Sequence, residues 1–145
     1  MITFLIVLAG LMGIGGVVLA AAAAHMALAP GNGLEGAANL LMIHAAVVLA
    51  AAALMRQGLL WGPLGTAAMA GFVLGATLFA GDIALRAFAG HPLFPFAAPW
   101  GGSLLILSWL VLAAAAIAAF RRGNASPSSG KRDVSWRHYL NACGF

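Results

Sequence analysis

Charge is scarce in this chain, and where it falls constrains the fold more than any other feature. Residues 1–34 contain no Asp, Glu, Lys or Arg, and neither do 36–55, 57–81 or 87–120. The hydrocarbon core of a bilayer is about 30 Å thick, which takes roughly 20 apolar residues at about 1.5 Å each. Each run is long enough to cross once. Composition agrees: 63% of the 145 residues are hydrophobic and 7% are charged, against about 25% charged in an ordinary soluble domain. This excludes a disordered chain, a disulfide scaffold (there is one Cys) and a conventional water-soluble enzyme.

Turn signals trim the runs. Pro30-Gly31-Asn32-Gly33 ends the first, and Pro92, Pro95 and Pro99 break any helix ahead of Gly101. The expectation is an all-α integral membrane protein. Its membrane domain (1–120) is a bundle of four transmembrane helices over about 3–26, 37–55, 59–81 and 101–120. Barrel strands would alternate polar and apolar residues, and these runs do not. The first helix is read as retained rather than cleaved. No Lys or Arg precedes it, and it is longer than a signal-peptide core.

Orientation follows from the cations. Arg56, Arg121, Arg122, Lys131, Arg132 and Arg137 fall on one side of a four-span chain, and Arg86 alone on the other. That bias places both termini in the cytoplasm of a bacterial inner membrane. Residues 121–145 read as a basic, disordered tail with a Ser126–Gly130 linker. Trp136 and Tyr139 among its cations suit an anionic leaflet surface. Five tethered cations form no organised patch for nucleic acid. Cys143 is read as an inert lone thiol. Trp61 and Trp100 read as interfacial anchors, with Trp109 also near a span end.

Small residues recur at helical spacing. Ala67, Gly71 and Gly75 line one face of the third helix, and Met12, Gly16, Ala20 and Ala24 a face of the first. Such stripes let helices approach closely. The Gly71/Gly75 face suits either the internal bundle or a homo-oligomer.

Polar residues within or beside spans are costly and therefore informative. They are His25, Glu35, His44, Asp82, Arg86 and His91, all expected in the outer half or the outer loops. His44 has no polar neighbour along the chain. His25, on the adjoining antiparallel helix, is its expected partner. The pair reads first as an interhelical hydrogen bond. The alternatives are a two-His metal or haem site or a proton relay. Zinc would want four ligands, and Cys143 lies on the wrong side. Asp82 and Arg86, spaced i,i+4 with the acid first, read as an ion pair capping the third helix, with a substrate or ion site on Asp82 as the alternative. Glu35 suits the N-terminus of the second helix. His91 lies in a Pro-rich loop. No P-loop, GxSxG, HExxH or CxxC motif occurs, so no catalytic activity is expected.

Four segments in order carry a resemblance. They are Ala20-Ala21-Ala22-Ala23-Ala24-His25, Ile43-His44-Ala45-Ala46, Leu78-Phe79-Ala80-Gly81-Asp82, and Ala98-Pro99-Trp100-Gly101-Gly102 with Ser108-Trp109-Leu110. Over about 3–120 the chain resembles the small bacterial inner-membrane proteins of domain of unknown function 423, also called uncharacterised protein family 0382. That family has mitochondrial relatives similar to transmembrane protein 256. The resemblance implies a four-helix membrane protein and no established activity. It meets the residue reading at His25, His44, Gly81, Pro99 and Gly101. The family's Tyr-Gln pair before the second His is Leu40-Leu41 here, and its Ser-Gly-Ser is Ala80-Gly81-Asp82. Any role of the Tyr-Gln pair therefore does not carry over. The expected partners are the lipid bilayer, and further copies of the chain or a larger membrane complex.

Overall fold

A computed structural model describes residues 1–26 and 33–125. Its regular elements are α1 (Ile2–His25), α2 (Leu34–Arg56), α3 (Gly62–Ala89) and α4 (Ala97–Ala125). Among the described residues there is no strand. All four helices are long and apolar enough to cross a membrane. Consecutive helices pack side by side. α3 is the hub and touches each of the others, whereas the backbone of α4 approaches α3 alone among the described helices.

The helix ends differ from the expected ones for identifiable reasons. α2 starts at Leu34 because Gly33 takes a left-handed conformation (φ +75°) and turns the chain at that point. Its other end closes on Gly58 (φ +76°), with Gly58 N–H donating to Met55 O and Leu59 N–H to Leu54 O. That pair of bonds is the Schellman arrangement, so α3 cannot begin at 59. α3 then runs past Asp82 to Ala89, where Gly90 (φ +76°) stops it. The charges at 82 and 86 do not end the helix, because they satisfy each other across one turn. α4 starts four residues earlier than expected. Pro99 sits in its first turn, where the missing N–H costs nothing. α4 also continues to Ala125, so the first five residues of the expected tail are helical. The remaining tail, 126–145, and the Pro30-Gly31-Asn32 turn lie outside the described residues.

The core is built mostly from small side chains. Ala37, Ala45, Ala51, Ala68, Ala76 and Ala80 are buried around Phe72, Met69 and Val48. Small residues bring the helix axes close, and dispersion over short distances then supplies the packing energy that lipid-exposed helices cannot draw from water exclusion. α1 and α4 turn long apolar faces outward, including Phe4, Leu11 and Ile14 on one and Ile106, Leu110 and Phe120 on the other.

Candidate functional site

Polar side chains mark two places in the bundle. The first is His44, at the level of the helix midpoints. It lies ten residues from the start of α2 and twelve from its end, so it is roughly 15 Å deep from either side. It is one residue to the Leu34 side of the α2 midpoint, deeper than about two turns because α2 begins three residues earlier than the turn cluster implied. His44 is 92% buried, with a relative exposure of 8%. Its Nδ1 lies 2.8 Å from Leu40 O, one turn back in the same helix. A carbonyl only accepts, so Nδ1 carries a hydrogen, and in the neutral imidazole Nε2 presents a lone pair. Nε2 is buried and has no hydrogen-bond partner among the described residues.

His25 is therefore not the partner of His44. It is exposed at the C-terminal end of α1, while the ring of His44 turns toward α3 and α4. There it meets Phe72 at 5.5 Å and Trp109 at 6.3 Å between ring centroids, and Phe72 and Trp109 are themselves 5.1 Å apart and edge-on. Three rings from three helices make one cluster with the offset and tilted geometries that aromatic quadrupoles favour. Trp109 is thus a mid-helix residue rather than a span-end one. Among the described residues, no three His, Cys, Asp or Glu side chains converge as a metal would need.

The unpartnered Nε2 has a measurable consequence. His44→Phe keeps the ring cluster and removes a buried acceptor, so stability in detergent should hold or rise by about 1 kcal/mol. His44→Ala should cost about 3 kcal/mol by leaving a void between Phe72 and Trp109. Unfolding titrations of both variants check this. A clear loss in His44→Phe would mean that Nε2 has a ligand in the membrane, which an absorption spectrum and elemental analysis of the wild type beside His44→Ala would identify as haem or metal.

The second place is Asp82, inside α3 and with no exposed surface. Arg86 Nε donates to its Oδ2 at 2.8 Å, and the Leu93 N–H donates to its Oδ1 at 2.8 Å. The backbone N–H of Ala98, in the first turn of α4, also acts on the carboxylate. One side chain thus ties the end of α3, the 90–96 loop and the start of α4. Arg86 is half exposed, so it holds the carboxylate on one side and reaches the surface on the other. Of the rest of the expected polar cluster, Glu35 and His91 stand apart. Both are exposed, and His91 Nδ1 lies 3.2 Å from Pro92 O in its own loop.

Between these two places runs a seam without side chains. A Cβ on Gly75 would lie 2.9 Å from Gly101 O, and one on Gly101 would lie 2.8 Å from both Gly75 O and Phe79 N. A Cβ on Gly71 would collide with Ser108 Oγ. The Gly71/Gly75 face is therefore occupied by α4 within the bundle and is not free to join two copies. Ser108 itself is buried and donates to Leu104 O at 2.7 Å. On α1, Gly16 meets Ala38 O and Met42 of α2 in the same way.

Phe72 and the amide of Leu93 carry no signal in the sequence, and Ser108 stands there only within a segment of the family resemblance. A Phe in an apolar run has no distinguishing signal, and a backbone amide has none at all.

No curated protein and no solved structure matches the chain. The family model described as "Protein of unknown function (DUF423)" matches residues 19–102, a span that holds His25, His44 and His91, the Asp82 tie and the glycine seam up to Gly101. The chain belongs to that family, the proteins of unknown function DUF423.

Proposed function

We propose that the chain is an inner-membrane accessory module with both termini in the cytoplasm. It has no catalytic activity or cofactor of its own, and it packs against itself or against a larger membrane complex. The observation that supports this is how the buried polar groups are used. Asp82 is spent on Arg86 and the Leu93 amide. Ser108 folds back onto a carbonyl one turn earlier in its own helix, as do half-buried Thr66 and exposed Thr77. A transport path needs polar groups that are free to bind and release; these are committed to holding the bundle, and the one left free among the described residues, His44 Nε2, belongs to a ring packed against Phe72 and Trp109. Haem or metal held by both His25 and His44 would need the two rings in one place, and one is exposed at a helix end while the other is buried at mid-helix. The broad apolar faces of α1 and α4 then serve lipid and neighbouring helices.

The orientation rests on charge. Arg56, Arg121 and Arg122 gather at one end, and the described acids, Glu35 and Asp82, at the other. One fusion tests both parts. A fluorescent protein that matures only in the cytoplasm, attached after the C-terminus, should fluoresce in cells. Its band from a mild-detergent extract should run well above the monomer on a native gel. A dark fusion overturns the orientation, and a monomeric band overturns the accessory role.

A further inference from the structure

The end of the bundle that carries Arg56, Arg121 and Arg122 is more organised than a charge bias alone would need. Arg56 closes α2 and is exposed, and Arg121 and Arg122 lie exposed in the last turns of α4. The link from Arg56 to α3 is only five residues long, and it brings Trp61 against α4. The Trp61 N–H donates to Ala115 O at 3.0 Å, and the guanidinium of Arg122 sits 4.2 Å from the centre of the Trp61 ring. The ring thus fixes the height of that cation at the level where α3 begins. A Trp is suited to the headgroup layer, having an apolar body and one polar N–H. Among the described residues no acid shares this end, and none of the three guanidinium groups is in an ion pair there.

An apolar groove opens at the same end of the bundle, beginning at Gly62, the first residue of α3, with neither Trp61 nor an Arg in its lining. It has a volume of about 650 Å³ and is lined by Gly62, Pro63, Thr66, Ala67 and Ala70 of α3 and by Met1, just ahead of α1. The α3 wall is a strip of small side chains running from the cationic end toward the membrane interior. An anionic head above an apolar strip is the outline of a phospholipid. Charge complementarity selects among phospholipids. Three unpaired guanidinium groups favour a headgroup with a net negative charge and disfavour a zwitterion whose own cation would face them. The opposite end of the bundle, where Glu35, Asp82 and Arg86 lie, offers no such preference.

We propose that this end binds an anionic phospholipid of the surrounding bilayer, with the combined charge of Arg56, Arg121 and Arg122 attracting its headgroup and one acyl chain lying along the Gly62–Ala70 strip. The inference needs the helices to be membrane spans. It does not depend on the accessory role or on the orientation.

The test is native mass spectrometry of the full chain, released from mixed micelles that hold phosphatidylglycerol and phosphatidylcholine with matched acyl chains. Each surface cation is worth roughly a fivefold change in affinity for an anionic headgroup. Wild type should therefore retain phosphatidylglycerol at least about fivefold in excess, and R56Q/R121Q/R122Q should retain the two equally. These side chains are exposed, so the variant should keep the wild-type circular dichroism. The matching triple lysine variant should keep most of the preference, since charge is retained. A wild type without preference overturns the proposal. So does a glutamine variant that keeps the preference, because the cations would then lie elsewhere in the chain. Inorganic phosphate in large excess separates the two sources of the same chemistry. If it displaces the phosphatidylglycerol adduct, the end reads a free phosphate and not a lipid.

Discussion

Gly101→Leu should separate α4 from α3 and lower the unfolding free energy in mixed micelles by about 3 kcal/mol, the upper part of the range for overpacked contacts. The atoms in the way are backbone atoms. A side chain at 101 meets Gly75 O and Phe79 N, both at 2.8 Å from its first carbon. Neither atom can rotate aside as a flexible side chain would. The next residue supplies the control. Gly102 has open space around its would-be Cβ, so Gly102→Leu changes hydrophobicity equally and should leave stability within about 0.5 kcal/mol. The difference between the two isolates the contact. Gly75→Ala and Gly101→Ala should each destabilise. Their double variant should lose less than the two losses added, since each residue strikes the backbone of the other. Equal stability of Gly101→Leu and Gly102→Leu would show that the seam is absent. The same geometry reassigns Gly71→Leu. It should unfold the bundle against Ser108 rather than dissociate a homo-oligomer.

That reassignment shows which parts of the fold can be read from sequence. The four spans were legible because lipid tolerates no stray charge, so each span leaves a long charge-free run. The end of α3 was not. A charge was read as the membrane boundary, but Asp82 keeps Arg86 one turn away and two backbone amides within reach, so the helix carries it inside. Gly90, with its positive φ, was the true stop. Pro99 misled in the opposite direction, since a proline in the first turn begins a helix rather than breaking one.

The candidate site divides along similar lines. His44 stood out as a polar residue in an apolar run, and its burial follows from that. Its neighbours did not stand out. Which residues of α3 and α4 reach it depends on the register set by the glycine seam, and sequence spacing within one helix carries no register between helices. Hence His25, near in topology, was favoured over Phe72 and Trp109, which are near in space. The Asp82–Arg86 pair was legible because i,i+4 spacing lies within one helix.

Asp82→Ala should destabilise at least as strongly as Gly101→Leu, and its effect should be readable at one amide. The carboxylate is fully enclosed, and it joins α3 to the loop that leads into α4. Removing it leaves the Leu93 N–H without its acceptor and Arg86 without its anion. Hydrogen exchange in a peptide covering 90–96 should then speed up markedly while peptides from the middle of α2 stay protected. Asp82→Asn separates the two bonds. Its amide oxygen still accepts from Leu93, so loop exchange should stay slow, but it offers Arg86 no charge, so stability should fall to an intermediate value. Arg86→Gln should fall further than Asp82→Asn. It strands an enclosed carboxylate with only backbone donors, whereas the neutral side chain strands an Arg that can turn to the surface. This order, alanine worst and asparagine mildest, is what a structural tie requires. A carboxylate kept for moving an ion gives a different pattern. Asp82→Ala would then leave stability and Leu93 exchange unchanged while ion flux into vesicles was lost, and the accessory reading of the bundle would have to be abandoned.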